Sequence, residues 1–415
     1  MKKYCIGAIA LGIAVLVIGS VGRTFTIQGG SDPSARSASG ALANATLPDP
    51  NADAPYQPQL ANPPQIVKAI YLTSWSAASE KKMNEVSQLL RDTELNAVVI
   101  DIKDFTGMIS YKTKNPIVNT YDTQEARIVK PNALLKRLHD EGIYVIARIS
   151  VFQDQTIPKI RPDLALKDKT TGEIWKDRKG ITWLDPASVE VWDYHIALAK
   201  DAVERGFDEV NFDYIRFPSD GNLEDIHYPF WDEKTPRADV MKNFFAYLYD
   251  HLAYAQTSVD IFGLVTVSKD DMGIGQYLEN ILPHFDTVAP MVYPSHYAAG
   301  FQGYQNPAAH PYEVVKYSID GAFIRLKELR DAVTIAREST STATTTRILQ
   351  LLDTTAIHTV KLRPWIQDFD IGALYTPEMV RAQMQATQDA LGTEFAGWMI
   401  WNPSNIYHTA ALLPQ

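Results

Sequence analysis

The chain has 415 residues, of which 46% are hydrophobic, 21% charged and 10% aromatic, and its formal net charge is −10 at pH 7. This is the composition of a globular protein, and the length allows one large domain or two smaller ones. The acidic balance and the lack of a basic stripe interleaved with aromatic residues argue against nucleic acid as a partner. Cys5 is the single cysteine, so the sequence excludes an internal disulfide and the folded part depends on its core.

The first 23 residues predict a segment that meets a membrane. Lys2 and Lys3 precede a run without a charge from Tyr4 to Val21. As a helix this run would be roughly 27 Å long, close to the hydrocarbon thickness of a bilayer. The lysines favour a single-pass anchor in the cell membrane with the remainder exported. The alternative is a signal peptide that is cleaved near the small residues at 19–22, which would release a secreted protein.

Residues 24–64 are rich in Ser, Ala, Pro, Asn and Asp, which predicts a flexible linker. After this linker, strand-like and helix-like patterns alternate along the chain. The patterns predict strands at 66–75, 96–105, 143–152, 207–218, 259–268, 286–297, 362–370 and 395–405. They predict helices at 80–92, 132–142, 186–205, 236–255, 275–282, 311–331 and 376–391.

Eight strands that alternate with helices indicate an α/β protein with a parallel sheet, and eight is the number that closes into a (β/α)₈ TIM barrel. An open doubly wound sheet is the alternative, but no Gly-rich phosphate-binding loop follows an early strand. We therefore predict one TIM-barrel domain over residues 65–415. Within it, residues 333–360 are rich in Ser and Thr and lack a clear period, which predicts an insertion or a mobile loop.

The predicted fourth strand, "FDEVNFDYIRFP" at 207–218, carries an acid within an apolar stretch. Asn211 and Asp213 are two residues apart and therefore lie on the same side of the strand. The active site of a TIM barrel lies at the carboxyl ends of its strands. An acid between Phe212 and Tyr214 is costly unless it is paired or used. We therefore predict that Asp213 is a functional acid at the barrel mouth.

The other strand ends supply carboxylates with Tyr and Trp between them. Glycosidic bond cleavage needs one acid to protonate the leaving oxygen and one carboxylate as nucleophile or base. We assign Asp213 as nucleophile or base, Asp270 or Asp271 as the proton donor, and Asp101 and then Asp104 as the next candidates for the second acid. No cofactor or metal site is predicted, because the His residues show neither metal-binding spacing nor an H-E-x-x-H motif. The predicted substrate-binding residues are Asp104, Arg148, Asn211, Tyr214, Arg216, Tyr293, His296, Gln367, Asp368, Trp401 and Asn402.

Several polar residues also have a purely structural interpretation. Asp208 and Asp286 open strands at the opposite, stabilising face of the barrel, and we interpret them as caps. Asp270 and Asp271 could cap the short helix after them, and Asp104 could bind the backbone amides of its loop. Three tryptophans are interpreted as core or barrel lining rather than as sugar-binding platforms: Trp75, Trp365 and Trp398.

Six motifs follow the strands: "NAVVIDIKDFTG", "FDEVNFDYIRFPSDG", "DDMGIGQYLE", "PMVYPSHY", "LRPWIQDF" and "GWMIWNPSNIY". Through them the chain resembles a bacterial family of glycoside hydrolase-like TIM barrels, long classed as a domain of unknown function. The resemblance covers nearly everything from Ile66 to Tyr407 except 333–360. It implies a secreted or membrane-associated protein that acts on polysaccharide, with Asp213 as the strand-four acid.

Two more distant resemblances concern strand four. The segment is similar to the strand-four motif of family 18 chitinases, but Ile215 stands where that motif has a glutamate. The arrangement is closer to α-amylase-like barrels, in which a strand-four Asp is the nucleophile and a strand-five acid donates the proton. That analogy implies Asp270 or Asp271 as the partner of Asp213.

The resulting hypothesis is a glycoside hydrolase that acts on a cell-envelope or extracellular polysaccharide. One alternative is a carbohydrate-binding protein on the same barrel that does not cleave its ligand. Another is a metal-dependent hydrolase that uses Asp101, Asp104 and Asp213. Two carboxyl groups about 5 Å apart would indicate a retaining hydrolase, and groups about 6.5–9.5 Å apart an inverting one.

Overall fold

The computed structural model describes residues 52–338 and 355–415. Within these ranges a parallel sheet closes on itself, because every strand pairs with the next and the last pairs with the first. The predicted eight-stranded parallel barrel is thereby confirmed. Its strands are β1 (Val67–Leu72), β2 (Ala97–Lys103), β3 (Tyr144–Ser150), β4 (Glu209–Asp213), β5 (Gln256–Phe262), β6 (Thr287–Met291), β7 (in two segments, Lys361–Leu362 and Trp365–Gln367) and β8 (Gly397–Trp401).

Helices follow the strands in the order expected for this fold. They are α1 (Glu80–Asp92), α2 (Pro131–Asp140), α3 (Val189–Arg205), α4 (Arg237–Leu252), α5 (Leu278–Ile281), α6 (Pro311–Glu338) and α7 (Pro377–Leu391). Short helices lie in the connections at Ser74–Ala78, Pro116–Asn119, Ile157–Ile160 and Thr355–Thr359, and a 3₁₀ helix at Thr409–Ala411 follows β8. The connections also contain a small antiparallel pair, Lys167–Asp168 with Ile226–His227.

Local sequence signals set the ends of these elements. Ser79 caps α1 by accepting a backbone N–H, and Thr376 caps α7, where Pro377 occupies the first helical position. At the start of β8, Gly397 has a φ of 102° and lies against β1. A Cβ atom there would lie 1.8 Å from the carbonyl oxygen of Val67. Barrel closure at this position therefore requires glycine.

The alternation of side chains along the strands divides the apolar residues into two clusters. Outward-facing residues such as Ile70, Val98 and Phe212 are fully buried in the layer shared with the helices. Inward-facing residues form a smaller cluster that includes Ala69, Val99, Ile146, Trp365 and Met399. Asp213 lies at an inward-facing position of β4. The adjacent residue, Phe212, belongs to the outer layer, and successive side chains of a strand point to opposite sides.

Strand five differs from the prediction. It runs from Gln256 to Phe262 rather than over 259–268, and a 3₁₀ helix, Gly263–Thr266, follows it. The predicted strand was wrong because the apolar pattern continues where the backbone turns. Gly263 passes so close to β6 that a Cβ atom would lie 2.5 Å from the carbonyl oxygen of Met291. The inward-facing acid of this strand is therefore Asp260.

Residues 53–60, in the last part of the predicted linker, lie against the amino-terminal end of the barrel, which we call the floor. The N–H of Gln57 donates to the carbonyl oxygen of Arg205 at 3.1 Å. The N–H of Leu60 donates to Asp208 Oδ1 at 2.6 Å, and the Leu60 side chain packs against the inward-facing cluster. This stretch therefore covers the floor of the barrel interior.

The acids at the floor bind backbone amides. Asp208 Oδ2 accepts the N–H of Val145 at 2.7 Å, and Asp286 Oδ2 accepts the N–H of Thr257 at 2.8 Å. Each acid thereby satisfies a backbone amide near the start of a neighbouring strand. Their interpretation as caps is confirmed.

The three tryptophans interpreted as core divide into two groups. Trp365 and Trp398 are each 1% exposed, which confirms the interpretation for both. Trp75 is 60% exposed on the short helix after β1, so the interpretation was wrong there. The helix Ser74–Ala78 turns its buried residues, Ser74 and Ala77, toward the barrel and leaves Trp75 on the other side.

Some predicted segments fall outside the described residues. These are the membrane segment at 1–23, the linker up to residue 51 and residues 339–354 of the predicted insertion. N-terminal to residues 339–354, α6 continues to Glu338, beyond its predicted end at 331. None of the helices within 52–338 and 355–415 is both long enough and apolar enough to cross a membrane.

Candidate active site

A buried arginine near the carboxyl end of β3 brings together acids from three strands. Arg148 Nη1 lies 2.5 Å from Asp101 Oδ1 on β2, and Nη2 donates to Asp213 Oδ2 on β4. Its Nε lies 3.7 Å from Asp260 Oδ2 on β5. These four side chains are between 1% and 6% exposed. One cation therefore faces three acids inside the barrel mouth, and we call this group the Arg148 cluster.

A second layer of polar groups holds Asp260 from the floor side. Asp260 Oδ1 accepts hydrogen bonds from Asn211 Nδ2 at 2.8 Å and from Trp365 Nε1 at 2.7 Å. Asn211 also donates to Ser258 Oγ at 3.0 Å. Asn211 thus faces inward, as its spacing from Asp213 predicts, and its contact is with an acid of the cluster.

Asp260 is a residue of the cluster that was not predicted from the sequence. The predicted fifth strand began at 259 and placed its carboxyl end after 266, so an acid near its start was not considered. An available signal was the acid within the apolar stretch "SVDIF", which is the same signal that singled out Asp213 in "NFDYI".

Burial and the shared cation act in opposite directions on these acids. Burial raises the pKa of Asp260 to about 8, with the charge of Asp213 adding to the shift and Arg148 opposing it. Burial also raises the pKa of Asp101, against Arg148 and against the Tyr71 hydroxyl, which donates to Asp101 Oδ2. Burial alone would lower the pKa of Arg148, but Asp101 and Asp213 raise it well above its ordinary value. At neutral pH, Asp260 is therefore mostly protonated while Arg148 stays charged.

The residue after Asp213 has a strained backbone. Tyr214 has a φ of 53°, in the left-handed region that bulky side chains rarely adopt. This conformation directs the Tyr214 N–H to Asp213 Oδ1 at 2.5 Å, while Arg148 binds the other oxygen. Such strain costs on the order of 1–3 kcal/mol. It allows each of the two oxygens of Asp213 to accept a hydrogen bond from a fixed donor.

Aromatic rings line the β1 and β8 side of the cluster. Tyr71 stacks on Trp401 with ring centroids 4.0 Å apart and planes inclined by 26°. Trp365 meets Trp401 edge-on at 5.9 Å, and the guanidinium carbon of Arg148 lies 5.3 Å from the Trp401 ring centroid. Trp401 is only partly buried. An accessible indole ring therefore lies beside the buried acids, as required of a residue that contacts sugar.

A second aromatic group lies beyond the end of β6. Tyr293, His296 and Phe369 meet edge-on, with ring centroids between 5.3 and 6.1 Å apart. Burial raises the pKa of Tyr293 well above its ordinary value, and the charge of Asp260 adds to the shift. Loss of hydration, together with the charge of Lys179, lowers the pKa of His296 to about 4, although the residue as a whole is exposed. Both side chains are therefore neutral hydrogen-bonding groups near pH 7.

The two predicted proton donors lie on the loop after β5. Asp270 is exposed and Asp271 is half-buried. Asp270 Oδ1 accepts hydrogen bonds from Ser268 Oγ and from the N–H of Met272, each at 2.9 Å. Asp271 Oδ1 accepts the N–H of Gly273 at 3.0 Å. In the described part of the chain neither acid bonds to the Arg148 cluster, so no direct contact joins these predicted residues to Asp213.

Asp104 also lies outside the cluster. Its Oδ1 accepts the N–H of Thr106 at 2.9 Å, and its Oδ2 accepts Arg127 Nη1 at 2.8 Å. The guanidinium carbon of Arg127 lies 4.9 Å from the ring centroid of the exposed Trp75. Asp104 thus holds its own loop, and through Arg127 it supports an exposed aromatic ring at the mouth.

Three predicted binding residues near the ends of β7 and β8 are occupied by contacts within the protein. Gln367 is fully buried and accepts the N–H of Ser295 at 3.1 Å. Asp368 Oδ1 lies 2.5 Å from Nδ1 of His408, and Asn402 Nδ2 donates to the carbonyl oxygen of Asp368. These contacts join the connections after β6, β7 and β8.

Arg216, also a predicted binding residue, lies beyond Tyr214 in an aromatic pocket. Its guanidinium carbon is 4.4 Å from the ring centroid of Phe262 and 4.9 Å from that of Trp183. The side chain is 7% exposed. Among residues 52–338 and 355–415, no group of three or more His, Cys, Asp or Glu residues is arranged to hold a metal ion.

Residues 69–407 match the model of the DUF4015 family, which is described as a "putative glycosyl hydrolase domain". No curated protein matches the chain. Among solved structures, a hypothetical protein from Ruminiclostridium thermocellum ATCC 27405 is 34% identical in sequence. That match covers 49% of this chain and 98% of the other, with a TM-score of 0.43.

The glycoside hydrolase domain of PgaB (BpsB) from Bordetella bronchiseptica is 14% identical, and the match covers 81% of this chain and 94% of the other with a TM-score of 0.54. An α-galactosidase from Thermus thermophilus, TtGalA, is 13% identical over 84% of this chain and 60% of the other, with a TM-score of 0.43. At this level of identity the Bordetella structure supports the fold alone. The family match extends from β1 to beyond β8, and the chain therefore belongs to this family of glycosyl hydrolase domains.

Proposed function

We propose that the protein cleaves glycosidic bonds in a cell-envelope or extracellular polysaccharide by a two-carboxylate mechanism. The observation that supports this most strongly is the Arg148 cluster, in which buried acids exceed the cation that they share. Burying such groups costs solvation free energy, and sites that need a tuned carboxylate are where proteins retain this arrangement. The N-terminal segment at 1–23 would hold the protein at the membrane or direct its export.

Asp213 is the nucleophile or base in this proposal. Such a residue must be ionised and must present a carboxylate of fixed orientation to the sugar. Arg148 donates to one carboxyl oxygen of Asp213, and the strained N–H of Tyr214 fixes the second oxygen. Trp401 and Tyr293, on either side of the cluster, would contact the sugar ring that is to be cleaved.

The proton donor in this proposal is Asp270 or Asp271. A general acid needs a carboxyl oxygen that can carry a proton toward the leaving group. Both oxygens of Asp101 already accept hydrogen bonds, one from Arg148 and one from Tyr71. Within the described residues, Asp270 and Asp271 accept hydrogen bonds through Oδ1 alone, which leaves Oδ2 for the proton.

The first test measures hydrolysis. The full-length chain, purified in detergent, is incubated with a broad panel of glycans beside Asp213→Asn and beside Asp286→Asn, a matched change at the floor. We expect new reducing ends from the parent and from Asp286→Asn. For Asp213→Asn we expect kcat/KM to fall by roughly 10²–10⁴-fold with the circular dichroism spectrum unchanged. If Asp213→Asn cuts as fast as the parent, the proposed role of Asp213 is wrong.

Retention of glycan on a column without any new reducing ends would instead identify a carbohydrate-binding protein. For a protein that does cut, NMR of the first product anomer distinguishes retention from inversion. Retention would imply that the two carboxyl groups lie about 5 Å apart in the complex with substrate, and inversion that they lie about 6.5–9.5 Å apart.

The second test identifies the proton donor. Asp270→Asn, Asp271→Asn and Asp101→Asn are compared on the polysaccharide and on aryl glycosides with an activated leaving group, which departs without protonation. The donor variant should lose activity on the polysaccharide and keep most of it on the aryl glycoside. If only Asp101→Asn behaves in this way, the donor belongs to the Arg148 cluster and the assignment to the loop is overturned.

A further inference from the structure

Arg216 is a buried cation that pairs with no carboxylate in the described part of the chain. Its side chain is 7% exposed, and it forms no ion pair with any acid in the described part of the chain. The only hydrogen bond that its guanidinium makes within the described residues runs from Nη1 to the carbonyl oxygen of Phe217 at 3.0 Å. A guanidinium has five N–H donors. Most of the donors of Arg216 are therefore available to a ligand.

The surroundings of Arg216 hold the guanidinium in place without neutralising it. The rings of Phe262, Trp183 and Tyr214 lie with their centroids 4.4, 4.9 and 5.4 Å from its central carbon. Aromatic faces attract a guanidinium but leave its N–H groups unbonded. Burial lowers the pKa of Arg216, and the nearby acids Tyr214 and Asp213 only partly oppose this. Arg148, by contrast, has an acid on each of its two terminal nitrogens.

A second cation lies on a turn that contacts the aromatic pocket of Arg216. Lys179 is exposed and makes no ion pair among the described residues. Asp177 of the same turn accepts Trp183 Nε1 at 3.0 Å, and the Trp183 ring is one of those around Arg216. The turn that carries Lys179 is built on Asp177, whose Oδ1 accepts the N–H groups of Lys179 and Ile181 at 2.9 and 3.0 Å. The position of Lys179 is thus fixed by a structured turn.

The acids near these cations do not cancel them. Asp177 Oδ2 accepts hydrogen bonds from Trp183 Nε1 at 3.0 Å and from Gln153 Nε2 at 3.2 Å, so this carboxylate is committed to the turn. Asp220 is half-buried, and its pKa is raised by burial and by Asp177, while Arg216 opposes the shift. Within the described residues Asp220 forms no ion pair with either cation.

We propose that Arg216 and Lys179 form a subsite that binds an anionic substituent of the glycan, a carboxylate, sulfate or phosphate, next to Asp213. The planar fork of a guanidinium matches the geometry of an oxyanion, and a nearby ammonium adds charge without demanding a fixed direction. The proposal rests on the proposed function, since it states which class of polysaccharide the site accepts. A neutral glycan would leave the donors of Arg216 without partners, and the site would discriminate against it.

The test uses binding rather than cleavage. The full-length chain with Asp213→Asn is titrated with glycans in matched pairs: polygalacturonate and its carboxyl-reduced form, chondroitin sulfate and desulfated chondroitin, and a phosphomannan before and after dephosphorylation. We expect at least one acidic member to bind about tenfold or more tightly than its neutral counterpart, as expected for a charge-assisted contact. The pair that shows this preference identifies the substituent, and high salt should reduce it.

Three further substitutions in the same background assign the preference to residues. Lys179→Ala alters an exposed side chain, and Arg216→Met keeps the apolar stem in the aromatic pocket while removing the donors. Each should reduce the preference several-fold. Lys176→Ala is the matched control, because Lys176 is an exposed residue of the same connection and should leave the preference unchanged.

The outcomes separate the subsite from hydrolysis. If no acidic glycan is preferred, or if the preference survives both Lys179→Ala and Arg216→Met, the subsite is wrong whether or not the parent cuts glycans. If the preference is lost in these variants although the parent cuts nothing, the subsite stands and hydrolysis is contradicted.

Discussion

The barrel interior holds a buried arginine at each end, and the two have different partners. At the floor, Arg363 pairs with Glu209, which also accepts the Tyr144 hydroxyl at 3.2 Å. One cation there meets one acid. At the mouth, Arg148 meets three acids, and one of them, Asp260, remains mostly protonated at neutral pH because of burial.

This difference separates structural acids from candidate catalytic acids. A balanced buried pair can be explained by packing and specificity alone. The other acids at the floor, Asp208 and Asp286, bind backbone amides and have a sufficient structural reason. An excess of buried carboxyl groups lowers stability, so its presence at the mouth indicates a use at that end.

The largest expected effect comes from removing the two cations. Arg148→Met leaves three acids without a cation, so we expect the free energy of unfolding at pH 7 to fall by about 3–5 kcal/mol. Arg363→Met should cost less, since its single partner Glu209 can take up a proton. The acids left by Arg148→Met are harder to ionise in the folded state, so their pKa values are raised and the loss should shrink as the pH falls toward 5.

Urea unfolding of both variants at pH 5 and pH 7, with the parent beside them, measures these losses. Equal losses for Arg148→Met and Arg363→Met at both pH values would contradict the distinction between the mouth and the floor. Arg148 and Arg363 would then have equivalent roles, each as the cation of a buried ion pair.

The barrel itself could be predicted because its determinants are local. The alternation of apolar residues sets strand positions, and strand count sets closure. The spacing of Asn211 and Asp213 sufficed to place both on the same side of β4. The caps at Asp208 and Asp286 were also predictable, since the position of an acid at the start of a strand is visible in the sequence.

The composition of the site could not be predicted in the same way. Asp260 was missed because a close approach between Gly263 and β6, which is a tertiary contact, ends strand five early. The exposure of Trp75 depends on how the short helix after β1 faces the barrel. Among the described residues Arg216 lacks an acid partner, and this depends on three-dimensional neighbours that residue spacing does not report.

A smaller effect is expected from the protonated acid at the mouth. The pKa of Asp260 is raised to about 8 in the folded protein, against roughly 3.9 in an unfolded chain. The folded state thus binds this proton more tightly, so the stability that Asp260 contributes is fully present below about pH 4 and is lost as the pH rises toward 8. Asp260→Asn keeps a neutral group there. We expect its stability relative to the parent to increase between pH 4 and pH 8 and then to level off.

Denaturant titrations from pH 4 to pH 9 follow this difference. Ser258→Ala is the matched control, because it alters the same polar layer without removing an ionisable group, and its curve should run parallel to that of the parent. A constant difference between Asp260→Asn and the parent over the whole range would show that Asp260 is ionised, which would leave the mouth with a larger surplus of charge.

The smallest expected effect lies at the rim of the mouth, where the exposed ring of Trp75 lies on Arg127, itself paired with Asp104. A ring that is 60% exposed adds little to folding, so Trp75→Ala should change the free energy of unfolding by no more than about 0.5 kcal/mol. If the ring stacks on sugar, the same change should weaken glycan binding by about 0.5–1.5 kcal/mol, seen as a higher KM with kcat unchanged. Trp365→Phe removes a buried N–H that donates to Asp260, and it should show the opposite pattern. We expect a lower free energy of unfolding and a nearly unchanged KM. A Trp75→Ala protein with unaltered KM would confine substrate contacts to the interior of the mouth and leave the Arg127–Asp104 pair with a structural role alone.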